Sequence, residues 1–215
     1  VGREGLQGGN EEMKLTAIER AAVGLAGLLV LLSLALPLWT MLMQAIFYPG
    51  GLWLHIYANR VTGDIQEISS LNHYIGMRPI NQADFPEFQY LPLAIGAVGA
   101  LVLLTALVGR RWTVWIATGS LTTLGLGALY VLIRRLWEYG HDLSPTAAIK
   151  IQPFMPPVVG YQVQIANFKL TTFFDLGGLS LIVAELLLLA VAFGVCRRIS
   201  VRAEARPPEK VNVAA

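Results

Sequence analysis

The chain has 215 residues, of which 55% are hydrophobic and 14% charged, with a formal net charge of +2. Soluble domains carry about 25% charged residues, so an ordinary soluble domain is excluded, and so small a charge, with no basic-aromatic groove, excludes a nucleic-acid binder. The missing charge is concentrated in four apolar runs of roughly 20 residues or more, enough to cross a hydrocarbon core. They predict an all-α integral membrane protein: a four-transmembrane-helix bundle with two long ordered extracytoplasmic loops.

Residues 1–17 form a polar tail, and the first membrane helix is expected at 18–47, interrupted only by Glu19, Arg20 and a few weakly polar positions. It is too long for a cleaved leader and has no small-residue cleavage site. Pro37 is expected to kink it by removing one backbone hydrogen bond. Outer loop one, 48–90, opens with a turn at Pro49, Gly50 and Gly51. A short β-hairpin follows through Trp53 to Ile65, with Thr62 and Gly63 in its turn. Ile65, Ile68, Leu71 and Ile75 then recur at helical spacing, and Pro79 sets the end of that helix.

The second membrane helix is expected at 91–109 and the third at 112–133, joined by Gly109, Arg110 and Arg111, which makes them antiparallel neighbours. Outer loop two, 134–175, is as long as the first, and both are rich in aromatic residues. The two therefore predict an ordered cap on the bundle rather than disordered linkers. The fourth helix, 176–196, holds one charge, Glu185, and 197–215 is a second polar tail. Gly24, Gly27, Gly96, Ala100, Gly119, Gly125 and Gly127 offer close-packing positions between helices.

Ten basic residues fall in the two tails, at Arg20 near the start of the first helix and in the 109–111 turn, against six in the much longer outer loops. The excess of Lys and Arg places both termini in the cytoplasm, and the class is a multi-pass protein of the bacterial inner membrane. The single cysteine, Cys196, lacks the partner that thiol redox chemistry needs; packing is its expected role, with palmitoylation second.

All three histidines, His55, His73 and His141, lie in the outer loops. If the loop-one helix runs to Met77, His73 and Met77 stand four apart on one face. An imidazole and a thioether directed the same way suit Cu(I). Met155, in the stiff segment Pro153-Phe154-Met155-Pro156-Pro157, and His55 are the expected completing ligands, with His141 a further donor on that side. Asn72 and Tyr74 would orient them from behind. The plain alternative is that His73 makes a loop hydrogen bond and Met77 fills an apolar gap. Glu185 lies near the bilayer midplane, where an ionisable group faces protein or water; interhelical glue to Thr105, Thr118, Thr122 or Thr123, proton relay and substrate contact all remain open for it.

No nucleotide-binding loop, dinucleotide fingerprint, serine-hydrolase elbow or zinc-protease helix is present. No histidine lies within a membrane helix to ligate haem, so no haem or nucleotide is expected and the chain is read as a non-enzyme. The Asn72-His73-Tyr74-Ile75-Gly76-Met77 motif, with Pro156-Pro157-Val158-Val159-Gly160 and Ile165-Ala166-Asn167-Phe168, resembles a family of bacterial four-helix membrane proteins found with copper-enzyme gene sets, such as nitrous oxide reductase or terminal oxidase maturation. That resemblance implies copper as cofactor or cargo. Three functions follow: an accessory protein that binds or relays copper on the periplasmic face, with membrane or periplasmic protein subunits as partners; a structural docking subunit of a larger membrane complex; or a small transporter centred on Glu185.

Overall fold

The computed structural model describes residues 14–45, 47–163 and 168–204. The Ile165-Ala166-Asn167 part of the second loop motif and most of both tails lie outside these residues. Helix α1 spans Ala17–Leu32 and opens with a reciprocal cap. The Thr16 hydroxyl accepts from the Glu19 amide (3.3 Å), and the Glu19 carboxylate accepts from the Thr16 amide (2.8 Å), satisfying donors that a helix start leaves free. The helix stops at Ser33, whose amide donates to Leu29. Pro37 has no amide to offer and forces Leu36 away from helical geometry.

From Trp39 the chain is a strand, which overturns the all-α expectation. Strands β1 (Trp39–Ala45), β2 (Tyr48–Ile56), β3 (Val61–Gly63), β4 (Gly160–Val163) and β5 (Lys169–Phe174) form one antiparallel sheet in the order β3-β2-β1-β5-β4. The first helix therefore does not run to Phe47, and Pro37 ends it instead of kinking it. The supposed turn at Pro49, Gly50 and Gly51 lies within β2. The hairpin forms as β2–β3, but its turn is Tyr57–Arg60, closed by the Tyr57 amide on the Arg60 carbonyl (2.8 Å), while Thr62 and Gly63 belong to β3.

Strand side chains alternate between faces. Trp39, Met41 and Met43 of β1, with Leu52, Leu54 and Ile56 of β2 and Leu170 and Phe174 of β5, share the packed face. Against it lie Ile68 and Leu71 of α2 (Ile65–Tyr74), then Phe85 and Phe88, and finally Leu132 and Leu136 of α4 (Arg111–His141). The open face carries Thr40 and Leu42, Trp53 and His55, Thr171 and Phe173, and Tyr161.

The bundle consists of α1, α3 (Glu87–Val108), α4 (Arg111–His141) and α5 (Leu176–Glu204). Val23, Val30, Ile95, Val102, Val114 and Leu188 form its centre. Among the described residues, three helices, Glu87–Val108, Arg111–His141 and Leu176–Arg198, are long and apolar enough to cross a membrane. The 16 residues of α1 extend about 24 Å at 1.5 Å each, short of a hydrocarbon core of roughly 30 Å. Leu28, Leu104, Leu126 and Leu186 face outward, a surface matched to hydrocarbon and costly in water.

Of the glycines expected at helix contacts, Gly27 meets Leu103 and Gly24 meets Ala106, whereas Gly96, Gly119, Gly125 and Gly127 face open space. Gly99, not among those expected, makes a close contact with Leu31. At the end of the bundle away from the sheet, Gly109 takes a φ of 68° to turn α3 into α4. Arg20 donates to the Ala106 and Leu107 carbonyls (both 2.8 Å), acceptors that the end of α3 leaves free. Arg198 pairs with Glu19 at the same end.

The sheet is continuous with the bundle through its central strand β1 and the adjacent β5. Strand β1 follows α1, and β5 passes through Asp175 directly into α5. Gly177 and Gly178 of α5 lie against the backbone carbonyls of Leu36, Pro37 and Leu38, where any side chain would collide. Helix α4 continues past Ile133, the end of its uncharged stretch, so that its last turns form one wall of the sheet domain.

Candidate functional site

Between the packed face of the sheet, α2 and the final turns of α4 lies an apolar chamber of about 110 Å³. Trp39, Met41, Met43 and Leu54 form the sheet side, Ile68 and Leu71 come from α2, and Leu132, Arg135, Leu136 and Tyr139 from α4. Met77, Ile80, Phe154 and Pro156 close it from the connecting segments. Protein cores usually leave few voids larger than a water molecule, and this one has almost no polar lining.

The polar groups that do reach it are mostly engaged. Arg135 donates to both carboxylate oxygens of Glu87 (2.7 and 2.8 Å) and to Glu138 (3.0 Å). Asn72 donates to the Arg78 carbonyl at 3.4 Å. The Tyr139 hydroxyl is shielded from solvent. The ring is fixed by stacking on Phe85 (centroids 6.0 Å apart) and by the Arg78 guanidinium 5.4 Å from its centre.

The expected copper ligands are not gathered in one place. Helix α2 ends at Tyr74, because Gly76 adopts a φ of 81° and the Ile75 and Met77 amides both turn back to the Asn72 carbonyl (3.2 and 2.9 Å). His73 and Met77 therefore do not share a helix face. His73 is exposed, edge-on to the Tyr74 ring, whereas Met77 faces the chamber. Asn72 is buried and holds the turn. Tyr74 is exposed, and its carbonyl accepts from the Ile149 amide (2.9 Å), stitching the two connecting segments together. Met155 is 37% exposed and lies outside the chamber lining, although Phe154 and Pro156 on either side of it line the chamber. His141 stacks on Trp137 at 4.4 Å.

His55 belongs to the open face, across the sheet from Met77. Its Nδ1 lies 2.9 Å from the Thr40 hydroxyl, which donates to Asp175 (2.6 Å). Since the hydroxyl has one proton to give, the geometry assigns the Nδ1 proton to His55 as donor. This chain of hydrogen bonds ties β2 to the start of α5, and Trp53 stacks on the imidazole. Glu185 of α5 accepts from Thr122 of α4, and its second carboxylate oxygen is shielded without a partner among the described residues.

Trp39, Met41, Met43, Arg135 and Tyr139 of the chamber are not among the residues expected from the sequence. Its available signal was the alternation Trp39, Met41, Met43 against Thr40, Leu42, Gln44, which is a strand period. No family model, no curated protein and no solved structure matches this chain.

Proposed function

We propose that the chain is a non-catalytic accessory protein of the bacterial inner membrane whose periplasmic cap holds a hydrocarbon chain in its chamber. The observation that carries this reading is the chamber itself, an apolar space left unfilled inside an otherwise packed domain. Apolar cavities of this kind stay dry and take up apolar molecules. Met41, Met43 and Met77 give it a conformable wall, suited to a flexible chain. Leu132 belongs to the end of the uncharged stretch of α4, so the chamber adjoins the end of an apolar span. The basic residues clustered at the opposite end of the bundle support a cytoplasmic position for both termini.

A variant retaining Trp39 as its one tryptophan, reconstituted in nanodiscs of brominated-tail phosphatidylcholine, tests this. Trp39 is expected to be quenched by a tail in the chamber, and Val61→Phe, which fills the chamber from β3, is expected to relieve the quenching. Equal emission with and without Val61→Phe overturns the reading.

A second reading keeps copper as cargo. It draws support from three methionines in the chamber lining, Met41 and Met43 on the sheet side and Met77 from the segment after α2, whose thioethers are soft donors suited to Cu(I), and it replaces the ligand set expected from the motif. Anaerobic Cu(I) loading is expected to give near-stoichiometric metal that Met77→Leu removes and His73→Ala leaves in place. Copper bound equally by wild type and Met77→Leu, or by neither, rejects it.

A further inference from the structure

We propose that the exposed face of α4 at the sheet end of the bundle is a phospholipid headgroup site, in which Arg134 grips the phosphodiester and Trp137 lies beside it; this does not depend on what fills the chamber. The uncharged stretch 112–133 of α4 extends about 33 Å at 1.5 Å per residue, enough to fill a hydrocarbon core of roughly 30 Å. Arg111 and Arg134 are the charges at its two ends. Leu126, Tyr130, Ile133, Arg134 and Trp137 recur at helical spacing, and all of them are exposed. Trp112 and Trp115 are exposed at the opposite end of the same stretch. Aromatic rings thus flank the span on both sides, as they do where a helix meets the two headgroup layers.

Arg134 is equipped for a phosphate. Its side chain is 65% exposed, and among the described residues only its Nε is engaged, donating to Glu138 at 2.8 Å. The two terminal amino groups remain for a pair of phosphodiester oxygens, which a guanidinium grips through parallel bonds. Arg135 does not compete for the same lipid, because Glu87 and Glu138 hold it on the chamber side. Arg134, Arg135, Glu87 and Glu138 balance in charge, which fits the single phosphate of a zwitterionic lipid rather than a polyanion. The Trp137 indole is positioned by the His141 imidazole, stacked on it at 4.4 Å. That imidazole is itself anchored, since its Nδ1 lies 3.0 Å from the Trp137 carbonyl and donates to it. Leu126, Tyr130 and Ile133 continue the same face as an apolar track for the acyl chains.

The test is native mass spectrometry of the full chain in detergent micelles, with phosphatidylethanolamine and diacylglycerol of the same acyl chains as probes. Wild type is expected to retain phosphatidylethanolamine in preference to diacylglycerol by roughly tenfold or more, the worth of hydrogen bonds to a charged group. Arg134→Gln is expected to abolish the preference. Arg134→Lys, which keeps the charge but not the planar fork, is expected to lose part of it and carries the test should the glutamine variant not fold. Arg60→Gln removes an exposed arginine from the β2–β3 turn and is expected to leave the preference intact. Wild type that binds both probes alike, or a preference that survives the Arg134 substitutions or falls equally in Arg60→Gln, overturns the inference. Displacement of the lipid by excess inorganic phosphate overturns it as well, since the patch would then be a site for the free anion.

Discussion

Trp39→Ala is expected to destabilise the sheet domain by about 3–5 kcal/mol, the range for deleting a large buried aromatic side chain. Trp39 is 2% exposed and sits on the central strand between Ile56 and Phe174. Its indole N–H donates to the Val158 carbonyl at 2.6 Å, fastening the segment before β4 onto the sheet. Alanine removes both the ring and that donor, and it enlarges a chamber that is already unfilled. Trp39→Phe keeps most of the ring and loses only the donor, so its cost is expected to be about 1–3 kcal/mol. Chemical unfolding followed by sheet-sensitive circular dichroism distinguishes the two. Equal midpoints for Trp39→Ala and wild type would show that the sheet does not depend on this side chain.

Gly140→Ala is expected to have a comparable effect by the opposite route. In the last turn of α4, a Cβ at Gly140 would fall on the Phe154 carbonyl oxygen, and the Phe154 amide donates back to Gly140 at 3.1 Å. Backbone lies against backbone here, so no rotamer change relieves the collision. Overpacking of this kind costs about 1–3 kcal/mol or more. The expected structural consequence is local: residues 151–156 separate from α4, and the wall formed by Phe154 and Pro156 opens. Limited proteolysis should then cut this segment in Gly140→Ala under conditions that spare wild type. Identical cleavage patterns would refute the expectation.

The three membrane-length helices α3, α4 and α5 were legible because length and lack of charge suffice to identify an apolar span. The Gly109–Arg111 turn was legible for a similar reason, as two charges and a glycine punctuate an otherwise unbroken run. Trp39 to Ala45 was not. It continues the hydrophobicity of α1 without a polar break, and a short apolar run reads equally as helix or as buried strand. What distinguishes it is the partnership with Phe174 and Ile56, residues 135 and 17 positions away, which no local pattern contains. The same limit hid the chamber, whose walls come from the sheet, two helices and the intervening segments. His73 and Met77 show the reverse error: their spacing was right for a helix, but Gly76 ends the helical geometry between them.

The pairing of β1 with β5 has a mechanical consequence. Six residue pairs, from Trp39–Phe174 to Gln44–Lys169, join the strand that leaves α1 to the strand that enters α5. A slip of one residue, about 3.4 Å, would turn Thr40 and Leu42 inward and expel Trp39 and Met41. The ladder thus acts as a ratchet with a coarse tooth. Helices α1 and α5 can tilt or rotate against each other, but a piston-like stroke of one along the other is forbidden unless the whole sheet unzips first.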